Sequence, residues 1–128
     1  MNSENALGTK VIGAAIEVHR ELGPGLLESA YEAAFVIELS HAGLSVKQQV
    51  PITLHYKNNA LDVGFRADLI VEDRVLVELK SVELVKEVHK KQVQTYLKLT
   101  GLRLGYLMNF NSRVMRDGIV RCVNGLPE

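Results

Sequence analysis

The sequence predicts one mixed-sheet α+β domain in the order α-α-β-β-β-α-β-β, packed in three layers or fewer. Apolar residues recur at helical spacing up to Gly43 and again from Leu84 to Thr100, whereas the stretch between them alternates. Glycines or short polar pairs stand at each change of period. A chain of 128 residues fits one ordinary domain, 1–128. At that size a chain buries roughly two thirds of its unfolded surface, so a core forms without staples.

The first helix follows from Leu7, Val11, Ala14, Ala15, Val18 and Leu22, which share one helical face, and Gly23-Pro24-Gly25 stops it. A second runs from about Leu26 to Ala42, with Leu27, Ala30, Tyr31, Ala34, Phe35 and Leu39 inward and Gly43 at its end. Few charges and many alanines predict that this helix is largely buried. Val46 to Tyr56 alternates, placing Val50, Ile52, Leu54 and Tyr56 on one face, and Pro51 marks an edge or a bulge. Asn58-Asn59 is a turn signal. Leu61–Val71 and Arg74–Val82 form two more strands around the polar turn Glu72-Asp73. The third helix covers Leu84 to Thr100 and closes at Gly101; Arg103–Phe110 and Gly118–Val123 are the last strands, with Asn111-Ser112 as a turn. No repeat, linker or low-complexity segment interrupts the chain.

The composition is that of a globular protein, with 47% hydrophobic and 23% charged residues. Fifteen basic residues balance fifteen acidic ones, which excludes a generally basic nucleic-acid coat. The balance is uneven along the chain. Residues 1–79 hold six Lys/Arg against eleven Asp/Glu, net −5; residues 80–103 hold six against two, net +4; residues 104–128 hold three against two, net +1. An anion-facing site therefore draws on the later segment. Cys122 is the single cysteine and has no intramolecular disulfide partner. No apolar run approaches the ~20 residues of a membrane span, and Met-Asn-Ser-Glu-Asn lacks the basic region and apolar stretch of a signal peptide. A cytoplasmic protein is the expectation.

Three features carry chemistry. In the first, Asp68, Glu78 and Lys80 interrupt apolar strands, where charges are disfavoured unless paired or metal-bound. If Glu72-Asp73-Arg74 is the loop, Asp68 lies directly opposite Glu78 on one face, and Lys80 points the same way. Two like charges about 5 Å apart are destabilising, and a divalent cation between them removes the penalty. A two-residue loop would put the carboxylates on opposite faces; a solvated sheet face carrying a Glu–Lys pair is the other reading. The second is Glu28, an acid in line with Tyr31, Phe35 and Leu39. With Gly25 as N-cap it would be the third helical residue and would serve the helix dipole. The third is the pair Gln92 and Tyr96, on a helix face with Val85, Val88, His89, Val93 and Leu99. Buried amides need partners, and the sheet carboxylates or Lys80 would supply them. Lys86, Lys90, Lys91 and Lys98, with Glu87 and Gln94, project to the opposite, solvated face.

His19 falls in line with Ile12, Ala15 and Ile16, as a satisfied, partly buried histidine would. His41, His55 and His89 lack metal-ligand spacing, and neither a phosphate-binding glycine loop nor a nucleophile motif is present.

Gly25-Leu26-Leu27-Glu28-Ser29-Ala30-Tyr31 resembles the signature of the GxxExxY family. Asp68, Glu78-Leu79-Lys80 and Gln92-Val93-Gln94-Thr95-Tyr96 resemble the motifs of the PD-(D/E)XK nuclease superfamily, in its variant with a Gln-x-x-x-Tyr helix. The resemblance spans Val11 to about Phe110, and departs where Ala67, not proline, precedes Asp68. It implies a restriction-endonuclease-like core and a site built from Glu28, Asp68, Glu78, Lys80, Gln92 and Tyr96. Asp68, Glu78 and the main-chain carbonyl of Leu79 would hold Mg²⁺, or Mn²⁺ in its place, through hard oxygen ligands at about 2.1 Å. Glu28 would bind the metal directly or through water. Lys80 would orient the attacking water, Gln92 would anchor the active-site groups, and Tyr96 would contact the substrate backbone or pack beneath it.

The function implied is metal-dependent hydrolysis of phosphodiester bonds in DNA or RNA. The alternative is a catalytically silent module that uses the same fold for binding or assembly. A nuclease core this small often needs a second copy to grip a duplex, so a homodimer is expected.

Overall fold

The computed structural model describes residues 3–127. Met1 and Asn2, which begin the stretch without a signal-peptide pattern, lie outside them.

The first helical period becomes α1 (Ser3–Leu22), which buries Val11, Ala14, Ala15 and Val18. Helix α2 (Glu28–His41) buries only Tyr31, Phe35 and Leu39. It is therefore not largely buried, as its composition suggested: Ala30 and Ala33 face solvent and Leu27 is 78% exposed. A helix that covers one face of a sheet needs only one apolar stripe, and alanine is neutral on the other side. The strands are β1 (Val46–Pro51), β2 (Leu54–Tyr56), β3 (Asn59–Leu61), β4 (Arg66–Val71) and β5 (Val75–Lys80); α3 (Glu87–Thr100), β6 (Leu104–Asn109), a 3-10 turn at Met115–Gly118 and β7 (Ile119–Val123) complete the chain.

One five-stranded sheet runs β1-β4-β5-β6-β7. Only β5 and β6 are parallel, joined through α3; the other neighbours are antiparallel. Helices α1 and α2 pack on one face over Leu69, Val71, Val77 and Met108. Helix α3 covers the other face over Ile70, Leu76, Leu107 and Cys122. This α+β arrangement agrees with the predicted class. No described helix is long and apolar enough to cross a membrane.

The expected strand from Val46 to Tyr56 is two strands. It breaks after Pro51, and Leu54–Tyr56 pairs with Asn59–Leu61 in a separate ribbon. The turn lies at Lys57-Asn58, both at positive φ, one residue before the Asn58-Asn59 signal. The alternation continues through a proline that ends one ladder and into a ribbon whose Tyr56 is exposed, so it does not mark a single strand. Helix α3 begins at Glu87, leaving Leu84 and Val88 exposed, and its buried residues are Val93, Tyr96 and Leu97. Gln92 consequently sits beside the buried stripe, not in its middle. His89 closes the helix start, its Nδ1 accepting from the Lys86 N–H at 3.0 Å. The satisfied histidine expected at position 19 is found: its Nε2 lies 2.7 Å from the Ser112 carbonyl oxygen.

Candidate active site

The hairpin of β4 and β5 builds the centre of the site. Val71 pairs with Val75, leaving Glu72, Asp73 and Arg74 as the loop, and Glu72 and Asp73 adopt the positive φ of a tight hairpin turn. The register Leu69↔Val77 then sets Asp68 opposite Glu78. Both carry the parity of Ile70 and Leu76, which pack beneath α3. The main-chain ladder, however, ends at Leu69 and Val77. Beyond it the Asp68 N–H donates to Glu78 Oε1 and the Leu79 N–H donates to Asp68 Oδ2, each at 2.8 Å. Each carboxylate thus holds the backbone of the facing strand.

Glu78 is 5% exposed. Burial, and next the charge of Asp68, push its carboxyl up to about 8; the Asp68 N–H and the Lys80 charge act against them, and Glu28 adds a smaller push upward. At neutral pH Glu78 therefore keeps its proton, which eases the like-charge repulsion with Asp68. Lys80 is half-buried and forms no ion pair among the described residues, so the alternative of a Glu–Lys surface pair is not what the structure contains.

Glu28 reaches this end of the sheet from α2. It is the first helical residue, with Leu27 as N-cap, and not the third, and it is exposed. Its placement depends on Tyr31. The Tyr31 hydroxyl donates to the Gly23 carbonyl at 2.6 Å and accepts from the Leu26 N–H at 3.1 Å. Ser81 Oγ, one residue past Lys80, donates to the Leu26 carbonyl at 2.6 Å. The Phe110 N–H holds the Lys80 carbonyl at 2.9 Å, and the Phe110 ring stacks on Tyr31 at 4.8 Å between centroids. These contacts close a circuit that couples the loop before Glu28 to the backbone of Lys80. Gly25 takes φ +102, a conformation open to glycine, so the loop's sequence matches its geometry. Buried Asn109 extends the joint: its amide accepts from the Val82 N–H and donates to the Val82 carbonyl.

Gln92 donates to the Tyr96 hydroxyl at 2.9 Å, so its amide is partnered within the helix and not by the carboxylates or Lys80 as expected. A partner one helical turn away satisfies the amide more simply than a reach across the sheet. Tyr96 is 4% exposed, and burial raises its phenol above the usual range. Its ring lies 5.8 Å from that of Phe65.

Gln48 and Gln49 of β1 and Glu32 of α2 also border the centre, and sequence reasoning missed them. The Gln49 amide donates to Glu32 Oε1 at 2.9 Å and to Asp68 Oδ1 at 3.3 Å, while Gln48 donates to Glu32 Oε2 at 3.0 Å. Gln49 has φ +49, which costs a residue with a Cβ about 1–2 kcal/mol. A Gln-Gln pair just before Pro51 was the available signal. Ser81 and Asn109 carried none, because their partners are distant in sequence.

Among the described residues no three His, Cys, Asp or Glu side chains converge as a complete metal cage. The donors that do meet are two carboxylates beside a strand end, hard oxygens suited to a magnesium-like ion that keeps several waters. The donor chemistry fits such an ion, which Glu78 would hold only after giving up its proton.

Fold and site together define a mixed-sheet protein with an acidic hairpin and a neighbouring lysine at one sheet end. The chain belongs to the PD-(D/E)XK nuclease superfamily, whose model matches residues 5–122. No curated protein matches the sequence. Among solved structures, one described as the crystal structure of SSO0001 is similar at 17% identity and a TM-score of 0.41, over 94% of this chain and 67% of that one.

Proposed function

We propose that this protein hydrolyses phosphodiester bonds of nucleic acid with the help of a divalent metal, Mg²⁺ with Mn²⁺ as substitute. The observation that carries this reading is the crossed pair of Asp68 and Glu78 beside Lys80, which forms no ion pair among the described residues. Superfamily membership supports nucleic acid as the substrate, and the Gly25–Glu28–Tyr31 spacing supports the GxxExxY branch.

Asp68, Glu78 and the Leu79 carbonyl would hold the ion, with Glu28 as a further acid at the wall. Bound there, the metal supplies polarisation of the scissile phosphate and acidification of a water. Glu78 gives up its proton when the site loads, since a ligating carboxylate must be ionised. Lys80 orients the attacking water and stabilises negative charge as it grows on the phosphoryl oxygens. Tyr96, held by Gln92, forms the floor beneath the carboxylates.

The second reading, a silent module for binding or assembly, is favoured by the absence of a complete metal cage among the described residues. A cleavage assay on plasmid, single-stranded DNA and RNA separates the two, run with Mg²⁺, Mn²⁺ or chelator and with Lys80→Ala as control. Metal-dependent cleavage lost in Lys80→Ala supports the enzyme; binding of any of these substrates without cleavage under every condition supports the module.

A further inference from the structure

We infer that Gln49 is a positioning residue for the Asp68 carboxylate, an inference that rests on the metal-site reading above. Among the described non-glycine residues with positive φ, Lys57, Asn58, Glu72 and Asp73 occupy the two hairpin turns, where that conformation is required. Gln49 adopts it inside a strand. It lies between the pairs Gln48↔Leu69 and Val50↔Ala67, directly across from Asp68, and the ladder skips this one position.

The kink has a consequence for the site. It delivers the Gln49 amide to Asp68 Oδ1 at 3.3 Å, while Asp68 Oδ2 is already held by the Leu79 N–H at 2.8 Å. Both oxygens of Asp68 are thereby oriented, one from each neighbouring strand. The second amide hydrogen goes to Glu32 Oε1, which anchors the kink to α2, and Gln48 secures the other oxygen of Glu32. The Gln49 carbonyl accepts from Arg66 at 3.4 Å. On backbone grounds alone glycine is the residue for this φ. Glutamine is explained by what its side chain does, and strain of this kind collects beside functional groups.

The two roles of the residue act in opposite directions, which makes them separable. Gln49→Gly removes the donor amide and relieves the φ; because Gln49 is exposed, no core packing is lost. Gln49→Met keeps the length and the strain but removes the donors. The measurements are the melting temperature of the metal-free protein and calorimetric titration with Mg²⁺ and with Mn²⁺, neither of which needs turnover. Both variants are expected to bind metal at least tenfold more weakly, the usual cost of losing an outer-sphere partner. The glycine variant should melt at or above the wild type, and the methionine variant no higher than it.

Wild-type affinity in both variants would overturn this inference and leave the metal reading standing. Weakening in the glycine variant alone would also overturn it, because backbone freedom and not the amide would then be responsible. A wild-type protein that binds neither ion would overturn the metal reading and this inference together.

Discussion

Replacing Glu78 with glutamine should make the metal-free protein more stable at neutral and alkaline pH while abolishing its response to magnesium. The magnitude follows from where the side chain sits. In the unfolded chain Glu78 ionises near its ordinary value of 4.5; folded, beside Asp68 and under α3, it ionises near about 8. Between those values the unfolded chain has lost a proton that the folded protein retains, so stability falls as pH rises. The contribution is fully present below the lower value and gone above the upper one. Integrated over the whole interval, the linkage amounts to roughly 5 kcal/mol, of which about 3 kcal/mol is lost by pH 7. Glutamine keeps an acceptor oxygen for the Asp68 N–H and has no proton to lose. Asp68, Lys80, Glu28 and Tyr96, which surround the group, remain in both proteins, so the difference between variant and wild type isolates Glu78. Urea denaturation at pH 5, 7 and 9 should show that difference moving in the variant's favour by about 2.5 kcal/mol from pH 5 to 7. Saturating Mg²⁺ then restores the wild type alone, by about 2.7 kcal/mol at one hundred times the dissociation constant. A pH-independent difference would refute the burial of an acid at this position, and a variant that still responds to Mg²⁺ would refute Glu78 as a ligand.

Asp68→Asn should keep the fold and lose the thermal shift with Mg²⁺ and Mn²⁺, because the amide can still accept from the Leu79 N–H; a retained shift counts against Asp68 as a ligand. Tyr31→Phe removes two hydrogen bonds from the loop before Glu28 but keeps the stack on Phe110, and should cost about 1–2 kcal/mol. Hydrogen exchange should quicken at residues 23–27, and unchanged exchange there would dismiss the closed circuit of contacts. Lys80→Ala should lower single-turnover cleavage far more than it weakens substrate binding. Neutralising Lys86, Lys90 and Lys91 together should instead weaken binding and flatten its salt dependence. Loss of the chemical step in that triple variant would show that the helix's basic residues, and not Lys80, serve the reaction.

The sequence by itself determined the elements whose causes are local. Helical periods ended by glycine marked α1, α2 and α3 to within a turn or so, and the polar Glu72-Asp73 turn marked the hairpin. Asp68, Glu78 and Lys80 were legible as charges within its apolar strands, but a two-residue loop and the loop Glu72-Asp73-Arg74 both fit the sequence. It is the pairing of Val71 with Val75 that brings Asp68 to Glu78. Tertiary structure decided the rest. Alternation marks an extended chain but does not name its partner, and so it does not separate Leu54–Tyr56, which pairs in a ribbon of its own, from the strand at Val46–Pro51. Gln49, Glu32, Ser81 and Asn109 became part of the site only when β1, α2 and β6 were laid beside the hairpin. The proton on Glu78 has the same origin. An isolated strand leaves that carboxyl in water and ionised; the desolvation that holds it neutral comes from its burial in the folded molecule, with Asp68 alongside.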